Sequence, residues 1–174
     1  VIFRDGKDKA DQVLPFSSQF AGANIDRLWD YMDRYEQATG GRVLAIPHNS
    51  NVSNGLMFEL VGPDGGPMTA DYARRRAAHE PLVEATQIKG DSEAHPFLSP
   101  NDEFAGYGVA GWELGNLPLN LPKQNWMFAG EYVREALKRG LEIEAKTGVN
   151  PYKLGMIGST DSHTSLSTAD DDNF

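Results

Sequence analysis

Cysteine is absent from the 174-residue chain, and the marks of several common site types are missing with it. Without cysteine there are no disulfides, thiolate metal ligands or cysteine nucleophiles, although this does not fix the compartment. No apolar run approaches the roughly 20 residues of a membrane span, so we expect no membrane partner. The sequence also lacks a G-x-S-x-G elbow, a P-loop and a G-x-G-x-x-G turn.

Basic charge is scarce, since 25 acidic residues oppose 16 basic ones and leave a formal net charge of −9. Nucleic-acid backbones bind basic surfaces, so we predict no nucleic-acid partner. The acidic balance is compatible with a site that uses a cation. The length, and a hydrophobic fraction of 40%, are those of an ordinary globular domain, and we treat residues 1–174 as a single segment.

Helical and strand-like patterns alternate along the chain. Apolar spacing predicts a helix that Asn24 or Asp26 caps and Gly40 ends, and further helices over residues 71–80 and 129–146. Short apolar runs predict strands over 1–4, 42–46, 82–88 and 153–157. Residues 7–24 and 49–70 are typical of loops, and 97–129 show no clear period. This alternation favours an α/β fold with a parallel sheet. The arginines at 74–76 and His79 are predicted to lie on a solvated face, and the alternative for the arginines is a role in holding an anionic substrate.

Polar clusters follow three of the predicted strands. They are His48, the segment 91–95, and the pair formed by Asp161 and His163. In parallel α/β folds the functional loops follow the C-terminal ends of the strands, so we expect these clusters to converge.

Asp161 and His163 are two positions apart, and in extended backbone such side chains point to the same side. Together they can hold one metal ion or share a proton. The alternative is structural, because an aspartate among serine and threonine residues often caps a helix. His48 has a structural alternative as a strand-end cap, and Asp91, Glu93 and His95 have one as a solvated acidic loop.

Imidazole and carboxylate ligands without sulfur suit zinc, manganese or iron. A metal of this kind lowers the pKa of bound water and makes hydroxide available near neutral pH. The pattern therefore favours hydrolysis of a phosphate ester or a related bond.

Several strings in the chain resemble known motifs. Residues 46–49 resemble the third metal motif of the PHP (polymerase and histidinol phosphatase) superfamily, and residues 158–163 resemble its closing D-x-H motif. The chain is more closely similar to one branch, the DUF3604 family of PHP-like proteins. The strings that carry this closer similarity are residues 1–6, 53–57, 87–93, 99–104 and 150–153.

The resemblance implies a distorted (β/α)7 barrel with a metal cluster at its C-terminal rim. It implies that His48, Asp161 and His163 are metal ligands, with His95 as a further ligand. The other histidine motifs and the glutamate ligand of the superfamily are absent from the chain. We therefore expect a C-terminal segment of a longer protein, with a partial barrel and an incomplete cluster.

These observations lead to one main functional hypothesis, a metal-dependent phosphoesterase that acts on a small, phosphorylated substrate. We assign His48, Asp161 and His163 to catalysis and Asn49, Lys89 and Glu93 to substrate binding. The alternatives are an amide or ester hydrolase and a non-catalytic module that binds a ligand or partner. A partial barrel would also leave open sheet edges, through which we expect self-association.

Overall fold

The computed structural model describes residues 1–22, 24–116 and 120–163. The chain folds into two compact units. The first unit comprises Val1–Pro47, Leu60–Val83 and Gly140–Gly155. The second comprises His48–Glu59, Glu84–Arg139 and the described residues from Met156 onward.

Ten regular elements occur in the described residues. The α-helices are α1 (Lys7–Ala10), α2 (Ser18–Ala21), α3 (Ile25–Thr39), α4 (Ala70–His79) and α5 (Val133–Thr147). The strands are β1 (Ile2–Phe3), β2 (Val43–Leu44), β3 (Leu82–Gln87), β4 (Gly90–Asp91) and β5 (Gly155–Gly158). Short 3-10 turns cover Ser50–Val52, Trp112–Leu114 and Phe128–Gly130.

The predicted barrel is wrong. The described residues form two small sheets, β1–β2 with two strands and β4–β3–β5 with three. β1 pairs with β2 in antiparallel register, and β3 pairs with β4 in the same way. Most of the strands are only two residues long, which is too short to build a barrel wall. The fold is a small α/β arrangement.

α3 is the element that the sequence specifies best. The Asn24 side chain accepts a hydrogen bond from the Asp26 amide at 2.8 Å, and Gly40 ends the helix in left-handed backbone with φ 62°. Both are preferred helix-end chemistries. The apolar face of α3 packs with β2 to form the core of the first unit. The buried residues of this core are Trp29, Tyr31, Met32, Tyr35, Val43 and Ala45.

Arg76 and His79 of α4 are buried, contrary to the predicted solvated face, whereas Arg74 is exposed as predicted and Arg75 is partly exposed. Arg76 forms an ion pair with Glu80 at 3.1 Å, and both side chains are less than a tenth exposed. His79 lies 3.0 Å from Asp33 and its ring stacks near Trp29. Arg75 binds Asp33 at 3.0 Å. Polar residues in α4 therefore pack inward because each finds an ionic partner.

Residues 7–22 contain the two short helices α1 and α2, where the sequence predicted only a loop. Neither helix buries a residue, so no apolar period marks them.

A close backbone contact organises part of the second unit. The Phe58 amide donates to the Gly130 carbonyl at 2.9 Å. A Cβ atom at Gly130 would lie 2.0 Å from the Gly55 carbonyl oxygen, so only glycine fits at this position.

Candidate functional site

The ends of β3 and β5 bring Asp161 next to Lys89. The Ser159 amide donates to the Thr86 carbonyl at 3.2 Å, and the Ile88 amide donates to the Thr160 carbonyl at 3.1 Å. These bonds extend the pairing beyond the strand ends. The Lys89 ammonium then donates to Asp161 Oδ2, and the two side chains are only 12% and 19% exposed.

His163 completes a three-residue cluster with Lys89 and Asp161, which we call the Asp161 cluster. His163 Nε2 lies 2.9 Å from Asp161 Oδ1, and the His163 side chain is 70% exposed. Asp161 and His163 both have left-handed backbone, with φ angles of 48° and 59°. The expected extended backbone at these positions is therefore wrong, and a tight turn makes the contact instead.

Lys89 holds the pKa of Asp161 below its ordinary value, chiefly through its hydrogen bond and also through its charge. Burial opposes this change, and His163 and His48 add smaller contributions that lower the pKa further. Asp161 is therefore ionised at neutral pH, and His48 acts on it electrostatically from the segment after β2.

The loop after His48 supports Lys89. Asn49 has left-handed backbone with φ 57°, and its Oδ1 accepts a hydrogen bond from Gln87 Nε2. Gln87 Oε1 accepts from the Lys89 amide at 2.8 Å, and Asn51 Nδ2 donates to the Lys89 carbonyl at 3.0 Å. The Lys89 backbone is thus fixed through both its amide and its carbonyl.

The structure does not bring His95 and Glu93 to the Asp161 cluster. The His95 ring stacks on Phe128 with centroids 4.4 Å apart, and burial lowers the pKa of His95. Glu93 binds Arg134 at 3.0 Å. The reason lies in β4, which reverses the chain after Lys89 and leads residues 92–95 away from it.

Sequence reasoning missed Glu84 and Ser159. Glu84 is 6% exposed, and its Oε1 accepts a hydrogen bond from Ser159 Oγ. Its Oε2 is buried and has no hydrogen-bond partner in the described part of the chain. A glutamate directly after two apolar residues in a predicted strand was the signal that could have found it. Buried carboxylate oxygens are normally paired, so Glu84 has unused capacity to bind a proton or a ligand.

The side chains of this region offer the types of ligand atom that a divalent cation requires, but too few of them. Asp161 supplies oxygen, and His163 and His48 supply nitrogen, as such metals require. Within residues 1–22, 24–116 and 120–163, however, no three acidic or histidine side chains are grouped closely enough to hold a metal ion. The described residues therefore supply only part of a ligand set.

No helix in the described ranges combines the length and the apolar character that crossing a membrane requires.

Comparison with known proteins gives one match. No curated protein and no solved structure matches the chain. The profile of one family, described as a protein of unknown function (DUF3604), matches residues 1–174. The match carries no link to the PHP superfamily. Because it covers the whole chain, the chain belongs to the DUF3604 family.

Proposed function

We propose that the protein is a hydrolase for small anionic esters, with phosphate esters as the first substrate class, and that the Asp161 cluster is part of its site. The single observation that carries this proposal is the contact of Asp161 with both Lys89 and His163. Two left-handed residues build this contact, and backbone strain of that kind clusters at functional sites.

Each residue of the cluster has a distinct role in this proposal. Lys89 provides a positive charge, which is paired with Asp161 in the structure and turns to the anionic group of the substrate when the substrate binds. Asp161 orients the His163 ring through the contact between Oδ1 and Nε2. The exposed His163 then transfers a proton to or from water or the leaving group. Asn49 maintains the position of Lys89 through Gln87.

We further propose that Asp161 and His163 contribute to a site for zinc, manganese or iron together with ligands beyond those described, since the described residues group no third donor, His48 included, with them. Such a metal would make hydroxide available from water near neutral pH. Lys89 occupies one oxygen of Asp161, so binding would require Lys89 to move from Oδ2 to the substrate anion. His95 and Glu93 have no part in this version of the site.

Metal titration tests the proposal directly. Zinc or manganese is titrated by calorimetry into the full-length protein, the Asp161→Asn variant and the His163→Gln variant. We expect each substitution to weaken binding at least about tenfold, since each removes one ligand or its charge. Affinity should also fall between pH 7 and pH 5, because protons compete for histidines whose ordinary pKa is about 6.5.

The matched control is Asp64→Asn, which removes an exposed carboxylate in the first unit and should leave metal affinity unchanged. A panel of phosphate, carboxylic and amide substrates, tested on the same proteins, separates the hydrolase classes. Equal metal affinity in wild type, Asp161→Asn and His163→Gln would exclude the cluster as a ligand set.

A non-catalytic ligand-binding module is the second candidate. The observation that favours it is that Lys89 already neutralises Asp161, while the described residues group no third donor with Asp161 and His163. This candidate predicts a thermal shift on addition of phosphate, no shift with zinc or manganese, and no turnover of any ester. A metal-induced shift together with turnover would exclude it.

A further inference from the structure

A cavity of about 560 Å³ lies in the second unit beside β4, and we call it the β4 pocket. It shares no lining residue with the Asp161 cluster. Its wall combines two aromatic rings with charged side chains. The residues that matter for its chemistry are Asp91, Glu93, Phe104, Tyr107 and Arg134.

The two aromatic side chains of the β4 pocket are unusually exposed. Phe104 is 69% exposed and Tyr107 is 92% exposed. Their loop is nevertheless ordered by backbone contacts: the Tyr107 amide donates to the Phe104 carbonyl at 3.0 Å, and the Asp91 amide donates to the Gly108 carbonyl at 2.8 Å. Two exposed aromatic side chains that line the same pocket on an ordered loop indicate a binding surface.

The charge of the pocket is unbalanced. Arg134 binds both Glu93 and Asp102, so its positive charge is already neutralised. The Asp91 carboxylate, by contrast, accepts hydrogen bonds only from the backbone amides of Glu93, at 2.6 Å, and Ala94, at 3.5 Å. No lysine or arginine of the described residues forms an ion pair with Asp91.

Burial raises the pKa of Asp91, and the charge of Arg134 opposes this only weakly. The Asp91 carboxylate in the pocket therefore lacks a cationic partner among the described residues. Phe104 and Tyr107 line the pocket together with Asp91, and aromatic side chains favour a cation with apolar substituents over a hydrated metal ion, since ring faces attract such groups.

We propose that the β4 pocket binds an organic cation, an ammonium group with apolar substituents, held against Phe104 and Tyr107 and paired with Asp91. The ligand is opposite in charge to the substrate proposed for the Asp161 cluster. This inference therefore does not depend on the hydrolase proposal.

Two probes of equal shape test the inference. Choline and its neutral carbon isostere, 3,3-dimethylbutan-1-ol, are titrated separately into the ¹⁵N-labelled full-length protein and followed by NMR. We expect choline to give saturable shifts at residues 90–94 and 104–108, and to bind at least about fivefold more tightly than the isostere.

Substitutions assign the effect to the pocket. The Asp91→Asn side chain retains an oxygen that can accept the hydrogen bond from the Glu93 amide. The substitution should lower the affinity for choline at least about fivefold and leave the affinity for the isostere unchanged. Tyr107→Leu should also weaken choline binding, and it leaves the fold intact because Tyr107 is almost fully exposed. The control Glu103→Gln removes an exposed carboxylate of the same loop that does not line the pocket.

Equal affinity for choline and the isostere would overturn the inference. Equal losses of choline affinity in Asp91→Asn and Glu103→Gln would also overturn it, as would NMR shifts that never saturate with choline. Asp161→Asn should leave choline binding unchanged, so failure of the hydrolase proposal and failure of this inference are distinguishable.

Discussion

The two units of the chain differ in how many polar side chains they bury: among the described residues the first unit buries three, Arg76, His79 and Glu80, and the second buries eight. In the first unit the buried core is mainly aromatic, with Trp29 and Tyr35 fully enclosed. In the second unit, fully or almost fully buried positions include Asn51, Ser92 and Glu131. Apolar burial stabilises a fold directly, whereas buried polar groups stabilise it only when each is paired. The comparison indicates that the stability of the second unit depends more on the pairing of its buried polar groups.

Removal of Trp29 should break the first unit and produce the largest effect. Trp29→Ala deletes a side chain with 0% exposure and removes the indole N–H that donates to Glu80 at 3.1 Å. We expect the free energy of unfolding to fall by about 5 kcal/mol, measured by urea denaturation. Phe20→Ala is the control, because Phe20 is 92% exposed and its removal should cost under about 0.5 kcal/mol. Similar losses for both variants would contradict an aromatic core.

The second unit depends on a buried ion pair, and Lys123→Met tests it. Lys123 contacts both oxygens of Glu131, and the two side chains are 5% and 0% exposed. Removal of one partner leaves a buried charge, so we expect a loss of about 3–4 kcal/mol near pH 7. The control is Lys146→Met, which removes the partner of Glu142 in an exposed ion pair. It should lower the free energy of unfolding by under about 1 kcal/mol.

The loss in Lys123→Met should depend on pH in a defined direction. Burial already raises the pKa of Glu131 above its ordinary value, and Lys123 partly opposes this. In the variant the folded pKa lies higher still, so stability falls as pH rises from the unfolded value of about 4.3 to the folded pKa. The deficit should therefore be smaller at pH 4 than at pH 7. A deficit that is the same at both pH values would mean that Glu131 stays ionised without Lys123.

A smaller deficit, which should also shrink in acid but for a different reason, is expected for Lys89→Met. Lys89 lowers the pKa of Asp161, so its stabilisation is present above the unfolded pKa of about 3.9 and is lost as pH falls through the folded pKa. We expect a loss of about 1–2 kcal/mol at pH 7 and a smaller loss near pH 3, measured by urea denaturation. Lys153→Met changes an exposed lysine and should have little effect at either pH. A Lys89→Met deficit that persists in acid would show that Lys89 acts through packing.

The sequence predicts those elements whose stability is local. Either Asn24 or Asp26 was predicted to cap α3 and Gly40 to end it, and the structure has Asn24 as the cap, so the helix was predicted to within two residues at its start. The order of strands and helices was also largely correct. The barrel was wrong because alternation does not specify which strands pair, and the close pairings β1–β2 and β3–β4 are antiparallel.

The burial of charged side chains could not be predicted from the sequence. His79 and Arg76 were predicted on a solvated face, yet both pack inside because Asp33 and Glu80 lie opposite them. His95 and Glu93 were expected near Asp161, but the hairpin through Gly90 carries them elsewhere. The nearness of Asp161 and His163 was anticipated, whereas Lys89 as their ionic neighbour depends on the β3–β5 pairing, which no local pattern encodes.

The contact between Gly55 and Gly130 has a consequence for how this sequence can vary. A methyl group at Gly130 would overlap the Gly55 carbonyl, so even alanine displaces one of the two backbones. The loop that would shift leads back to Asn51, whose amide group binds the Lys89 carbonyl. In a library of random substitutions, Gly130 would thus be as intolerant as a site residue although it carries no reactive group. Intolerance at such a position records a limit on backbone spacing, and it should not be taken as a sign of chemistry.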